Sequence, residues 1–163
     1  MAILAEVVHG VHIPDGVPPP GFRGFDESVG GDLVEVRSLM GPGVDPHAYL
    51  QTRTYLVALT RADLVLWHGL YLEAQMEEFL LRLGQKRKVV AVGEAVPEAL
   101  LIGHEDYAGR FDPHVWMAPD IWVHVIAAVR DALIDVRPEH RAAFEANAEA
   151  HLVEIAGLSA YSS

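Results

Sequence analysis

Residues 63–93 have the sequence DLVLWHGLYLEAQMEEFLLRLGQKRKVVAVG, in which two short apolar runs flank an amphipathic segment. The runs at 63–67 and 88–92 are nearly continuous, which is typical of strands that are buried on both faces of a parallel sheet. The segment between them predicts a helix over 72–83, because its apolar side chains recur at helical spacing, and Gly84 ends it. This strand–helix–strand unit predicts an α/β fold with right-handed crossover connections.

The rest of the chain extends this pattern. An alternating segment at 33–39 predicts a strand with one solvated face, and Ile3 to Val8 predicts a further short strand. Residues 10–31 are rich in glycine and proline and are predicted to form an irregular loop. The fold class is therefore predicted to be α/β, with strands near 33–39, 63–67 and 88–92 forming one parallel sheet. Helices are expected to flank this sheet near 52–61, 72–83, 119–134 and 139–158.

Composition excludes several classes of partner and site. The 163 residues include 23 acidic and 12 basic side chains, a formal charge of −11, whereas nucleic-acid binding requires a basic surface. The chain has no cysteine, which excludes thiolate metal sites, catalytic thiols and disulfides. No apolar run approaches the ~20 residues of a membrane-spanning helix. The start, MAILAEVVHG, is too short and too acidic for a signal peptide.

The tripeptide Asp-Pro-His occurs twice, ending at His47 and at His114. Proline restricts its own backbone and that of the preceding residue, so each copy is expected to present its imidazole from a stiff turn. Neutral imidazole is the commonest metal ligand, and ligands of open α/β sheets bind beyond the carboxyl ends of the strands. The repeat therefore suggests one metal site built by His47 and His114, with Asp45 and Asp112 orienting the rings. The alternative is that both histidines only cap helices.

Other candidate residues carry weaker indications. His68 ends a predicted strand close to the expected crevice, and the alternative is an ordinary turn histidine. The chain has no Gly-x-Gly-x-x-Gly, P-loop, Gly-x-Ser-x-Gly or His-Glu-x-x-His motif, so nucleotide binding and two common hydrolase classes have no support. The remaining histidines are expected to be solvated or to lie on helices: His9, His12, His104, His124, His140 and His151.

Four segments together resemble a known family. They are LMGPGVDPHAY at 39–49, ADLVLWHGLYLE at 62–73, FDPHVW at 111–116 and RPEHRAAFEANA at 137–148. They look like successive blocks of the zinc- and manganese-binding receptors of ABC importers, which are two-lobed substrate-binding proteins with a rigid helical backbone. The blocks occur in the order of the family, and the resemblance covers roughly residues 29–161.

The resemblance implies a function and a site. His47 and His114 would be two of the four ligands of a Zn²⁺ or Mn²⁺ ion, and the other two would come from a second lobe. The family delivers the ion to the membrane subunit of an ABC importer and works in the periplasm or at the cell surface. It implies a receptor rather than an enzyme. The family usually has Asn at the position of His68.

The same resemblance suggests a division of the chain. Residues 1–28 would be a divergent Gly/Pro-rich segment, 29–136 one lobe of a two-lobed metal receptor, and 137–163 the start of the long backbone helix between the lobes. The chain is thus predicted to be a truncated or divergent receptor lobe.

Two other functions remain open. One is a self-associating module that pairs through an exposed apolar strip of the C-terminal helix, formed by Leu152, Ile155 and Leu158. The other is a metal-dependent hydrolase, which would need a third ligand and a general base, with Glu73 and Asp112 as the candidates.

Overall fold

A computed structural model describes residues 6–9, 25–38, 53–105 and 107–161 of the chain. The strands are β1 (Glu6–His9), β2 (Glu35–Ser38), β3 (Leu64–Trp67) and β4 (Val89–Ala91). The α-helices are α1 (Phe25–Gly30), α2 (Arg53–Arg61), α3 (Glu77–Gly84), α4 (Pro119–Val136) and α5 (Arg141–Tyr161). Short 3₁₀ helices lie at Gly31–Leu33, Val92–Ala95, Glu98–Leu100, Val115–Met117 and Pro138–His140. Among the described helices, none has both the length and the apolar composition to span a bilayer.

The central strand β3 is buried on both faces of the sheet. Successive side chains of a strand point to opposite faces, and all four residues of Leu64–Trp67 are buried. Leu64 and Leu66 pack into one hydrophobic cluster, while Val65 and Trp67 pack into another. Both faces of the sheet are therefore covered by helices, as the continuous apolar run predicts.

The sheet has the strand order β2-β1-β3-β4 in the described part of the chain. β3 and β4 pair in parallel, with Val65 opposite Val89. β1 pairs antiparallel with both β2 and β3. Consequently β2, β3 and β4 point in the same direction, as predicted, but an antiparallel strand separates β2 from β3. Periodicity within a strand does not encode its direction, so the sequence did not indicate this insertion.

Two helical layers cover the sheet. The layer on the face of Leu64 and Leu66 is formed by α1, α4 and α5, and Phe144 of α5 is fully buried there. The layer on the face of Val65 and Trp67 is formed by α2 and the segment through α3. The α/β class and the long final helix are confirmed. In addition, α4 starts at the predicted residue, Pro119, which suits the first turn of a helix because it lacks an N–H.

The predicted irregular loop at residues 10–31 is wrong at its C-terminal end. Phe25–Gly30 forms α1, and Val29 is buried in the cluster that contains Leu64 and Leu66, which we call the main cluster. The Asn147 side chain of α5 donates a hydrogen bond to the Val29 carbonyl at 3.0 Å. A helix of six residues is not stable alone, so these tertiary contacts rather than local sequence stabilise it. Residues 10–24 lie outside the described residues.

The apolar strip predicted on α5 is not exposed as expected. Leu152 and Ile155 are partly buried and pack against the main cluster, while the side chain of Leu158 lies outside the described residues. The reason is that α1 and α4 both pack on α5. Val153, with 64% of its surface exposed, is the large apolar side chain that α5 presents to solvent in its described part.

Candidate metal centre

The second Asp-Pro-His turn is closed by its own aspartate. Oδ1 of Asp112 accepts the backbone N–H of His114 at 2.8 Å and lies 2.5 Å from Nδ1 of the His114 ring. The backbone N–H of Asp112 donates in turn to the Ile102 carbonyl at 2.8 Å, next to a β-bridge between Gly103 and Phe111. The Asp-Pro-His turn therefore lies at the end of a loop, and backbone hydrogen bonds within that loop hold the turn in place.

The electrostatics of the turn define the tautomer of His114. The hydrogen bond from the His114 backbone N–H, more than any other contact, lowers the pKa of the Asp112 carboxyl below its ordinary value. Asp112 is therefore ionised at neutral pH and can only accept hydrogen bonds, so Nδ1 of a neutral His114 ring must carry the hydrogen. This places the lone pair of the neutral ring on Nε2. A carboxylate that holds one imidazole nitrogen while the other binds an ion is a common arrangement in metal sites.

A cation–π contact and an ion pair hold the loop that precedes this turn. The guanidinium of Arg110 lies 4.4 Å from the centre of the Tyr71 ring, and its Nη1 is 3.3 Å from Glu77 Oε1. The Tyr107 ring packs against Tyr71 as well, with ring centres 5.3 Å apart. The loop is thus attached to the turn that follows β3, and the two turns lie side by side at the carboxyl end of the strand.

His114 is partly exposed beside an apolar groove. The groove has a volume of about 260 Å³. It is lined by Leu100, Leu101, Ile102, Asp112, His114, Val115, Met117, Ala118 and Ile121. Met117, at 77% exposure, and Ile102, at 71%, are open to solvent at this edge. The Asp112 carboxylate and the His114 ring therefore lie beside low-polarity walls, which would strengthen their electrostatic interaction with an ion.

The turn after β3 has an unusual backbone. Gly69, Leu70 and Tyr71 all have positive φ angles, of 78°, 52° and 69°, in a region that non-glycine residues rarely adopt. The buried Glu73 carboxylate accepts the backbone N–H groups of His68 at 2.8 Å and Gly69 at 3.1 Å. These bonds stabilise the strained turn. The helix predicted over 72–83 consequently begins only at Glu77.

The His68 side chain is fully buried and lies close to the second Asp-Pro-His turn. Its ring packs edge-on against Trp116, with centres 5.4 Å apart, and nearly parallel to Trp122 at 6.4 Å. Burial, the largest cause, lowers the pKa of His68 from 6.5 to about 4; the nearby Pro113 carbonyl opposes this shift and His114 adds to it. His68 is therefore neutral at physiological pH; it lies in the turn after β3, as one of the two interpretations predicts, but its ring is fully buried.

The stability of the protein should fall in mild acid because of His68. The unfolded chain binds a proton at His68 near pH 6.5, whereas the folded chain binds it only near pH 4. The free energy of unfolding should therefore fall by about 3 kcal/mol as the pH is lowered from the first of these values to the second. Denaturant unfolding across this range, compared with His68→Asn, measures the contribution. Parallel pH profiles for the two proteins would contradict it.

The structure tests only part of the predicted site. His47 and Asp45 lie outside the described residues, so the approach of His47 to His114 stays a prediction. Within the described ranges, no group of three or more His, Asp or Glu side chains could hold a metal ion. The sequence favours core or crevice-wall positions for Trp67, Trp116 and Trp122. Trp116 lies beside the candidate site, with its ring centre 5.0 Å from that of His114.

Comparison with known proteins adds a family match. The family model described as zinc-uptake complex component A, periplasmic (ZnuA), matches residues 24–163. The manganese-binding lipoprotein MntA of Bacillus subtilis is 38% identical over 136 residues, which are 83% of this chain and 44% of MntA. The zinc-binding protein TroA of Treponema pallidum is 38% identical over 128 residues, which are 78% of this chain and 41% of TroA.

Solved structures show the same relationship. The periplasmic zinc-binding protein TroA from Treponema pallidum superposes with a TM-score of 0.80 at 35% identity, over 84% of this chain and 49% of TroA. Zn(II)-bound AdcA from Streptococcus pneumoniae superposes with a TM-score of 0.71 at 27% identity, over 82% of this chain and 28% of AdcA. The chain thus spans less than half the length of these relatives.

Proposed function

This chain belongs to the ZnuA family of periplasmic zinc-uptake components, and we propose that it binds Zn²⁺ or Mn²⁺ through His47 and His114. The cargo would be delivered to the membrane subunit of an ABC importer, in the periplasm or at the cell surface. Relatives that are named for zinc and for manganese support this choice of ions. Residues 29–136 would supply one lobe of the receptor, and 137–163 the start of its backbone helix, after a divergent segment at 1–28.

The observation that carries the proposal is the hydrogen bonding of His114. Asp112 holds Nδ1 of the ring, and an imidazole held in this way is a stronger and better oriented ligand through Nε2. Imidazole is a good ligand for zinc, and manganese accepts it when carboxylates complete the site. The same turn chemistry in Asp45-Pro46-His47 supports an equivalent role for His47.

Binding by this chain alone should be weak compared with a complete site. Structural zinc sites have four protein ligands and apparent binding free energies of ~10–16 kcal/mol. Two imidazoles leave the remaining positions to water or to groups outside the chain. Anionic ligands normally neutralise the ion and close the chelate, so a pair of neutral ligands should bind well below that range.

The contacts of the two candidate general bases, Glu73 and Asp112, favour ion binding over catalysis. Glu73 accepts two backbone N–H groups in the turn after β3, and Asp112 holds the His114 ring. Both oxygens of the buried Glu73 carboxylate are therefore engaged, and Asp112 uses Oδ1 to bind the His114 ring and backbone. The described residues therefore give no support to a metal-dependent hydrolase.

Calorimetric titration of the chain with Zn²⁺ and with Mn²⁺ tests the proposal. We expect binding of one ion per chain that weakens when the pH drops from ~7.5 to ~5.5, because protonated imidazole cannot ligate. Ca²⁺ is the matched control, since it prefers oxygen ligands and should not compete. Binding that is independent of pH over this interval, or no binding of either ion, would overturn the proposal.

A further inference from the structure

His68 is a buried imidazole that the proposed site does not use. The His68 side chain is fully buried. Among the described residues, no group forms a hydrogen bond of normal geometry with either nitrogen of its ring. The Pro113 carbonyl lies near the ring, where it affects the pKa of His68, and it also accepts the Val115 N–H at 2.8 Å. Buried polar groups without partners are rare, so a group retained in this state calls for an explanation.

The contacts of His68 point toward His114. The Trp116 indole packs against both imidazoles, with its ring centre 5.4 Å from that of His68 and 5.0 Å from that of His114. Trp122 packs on another side of the His68 ring. Gly93 lies against the ring as well, because a Cβ at that residue would come within 3.0 Å of Nε2. The His68 ring is therefore held in place by its neighbours and can in turn hold Trp116.

We propose that His68 is a positioning residue for His114, acting through the Trp116 indole. The proposal rests on the metal-binding role of His114. The hydrogen bond to Asp112 restrains one nitrogen of the His114 ring but still permits the ring to rock about that contact. The indole packs at 62° to the ring and limits this motion, and His68 fixes the indole from the buried side. A ligand that is already oriented loses less freedom when the ion binds.

The proposal predicts a loss of metal affinity that exceeds the loss expected from destabilisation alone. His68→Ala should lower Zn²⁺ affinity by ~10–100-fold, the range for residues that orient a metal ligand. Val65→Ala is the matched control: Val65 is also fully buried, but it packs in the cluster on the opposite face of the sheet. The Zn²⁺ affinity of Val65→Ala should stay within about twofold of the parent, because Val65 and Trp116 pack in clusters on opposite faces of the sheet. The Zn²⁺ affinities of the two variants are measured at temperatures well below their thermal midpoints.

A second measurement separates positioning from metal binding. In the metal-free protein, NMR signals of the His114 ring should shift toward rotamer-averaged values in His68→Ala and stay unchanged in Val65→Ala. If His68→Ala does not fold, His68→Asn replaces it in both measurements. Unchanged ring signals together with parental Zn²⁺ affinity would overturn the role of His68. If the parent chain binds no zinc, the proposed function fails, and the ring signals alone decide whether His68 positions His114.

Discussion

Replacing His114 by alanine should reduce the Zn²⁺ affinity of the chain by about 100-fold. A complete zinc site with four ligands gives ~10–16 kcal/mol, so one ligand contributes roughly 3 kcal/mol, which corresponds to about two powers of ten. The loss of the ring removes one partner of Asp112, whose carboxylate keeps the backbone N–H of residue 114. Calorimetric titration at pH ~7.5 measures the change, and His47→Ala should give a loss of the same order.

His140→Ala is the matched control for this experiment. His140 lies in the 3₁₀ helix after α4, whereas His114 lies just before α4 begins, so the length of that helix separates them. An 18-residue helix is about 27 Å long, so His140 is too far away to share an ion with His114. The affinity of His140→Ala should equal that of the parent. Tight zinc binding that survives the loss of both His47 and His114 would rule out the Asp-Pro-His site.

Replacing Phe144 by alanine should destabilise the fold by about 4 kcal/mol. Phe144 is fully buried in the cluster that also contains Val29 of α1, and α5 packs on both α1 and α4. The substitution removes an aromatic side chain from a close-packed interior and leaves a cavity that the surrounding elements close only in part. Since a domain is stable by only ~5–15 kcal/mol, this is a large loss, and the thermal midpoint should fall by roughly 8–16 °C.

Val153→Ala provides the comparison on the same helix. Val153 is 64% exposed, so its truncation should change the free energy of unfolding by less than about 0.5 kcal/mol. Denaturant unfolding monitored by circular dichroism gives both values. Equal effects of the two substitutions would mean that Phe144 is not part of the buried core of the protein.

The elements with strong internal patterns could be predicted from sequence. β3 and β4 are runs of apolar residues, and α4 and α5 carry apolar stripes that continue for several turns, so their class and approximate bounds follow from periodicity. The direction of β1 could not be predicted, because it depends on the two strands with which β1 pairs. Helix α1 was missed for a related reason: its six residues are stabilised by contact with α5, more than a hundred positions away in sequence.

The site shows the same division between local and distant causes. The Asp112–His114 hydrogen bonds are contained in three consecutive residues, so the motif alone predicts them. The strained turn at Gly69, Leu70 and Tyr71 depends on the Glu73 carboxylate, which binds backbone N–H groups four and five positions earlier. The burial of His68 depends on Trp116 and Trp122, about fifty residues away. Such contacts have no periodic signature.

NMR detection of the imidazole nitrogens during zinc titration shows whether His114 itself binds the ion. We expect Nε2 of His114 to shift to the value of a metal-bound nitrogen, while Nδ1 keeps its hydrogen and its bond to Asp112. The Nε2 signals of His140 and His124 should not move. A shift at Nδ1 of His114, or zinc-induced shifts confined to other histidines, would contradict the assignment of His114 as a metal ligand held by Asp112.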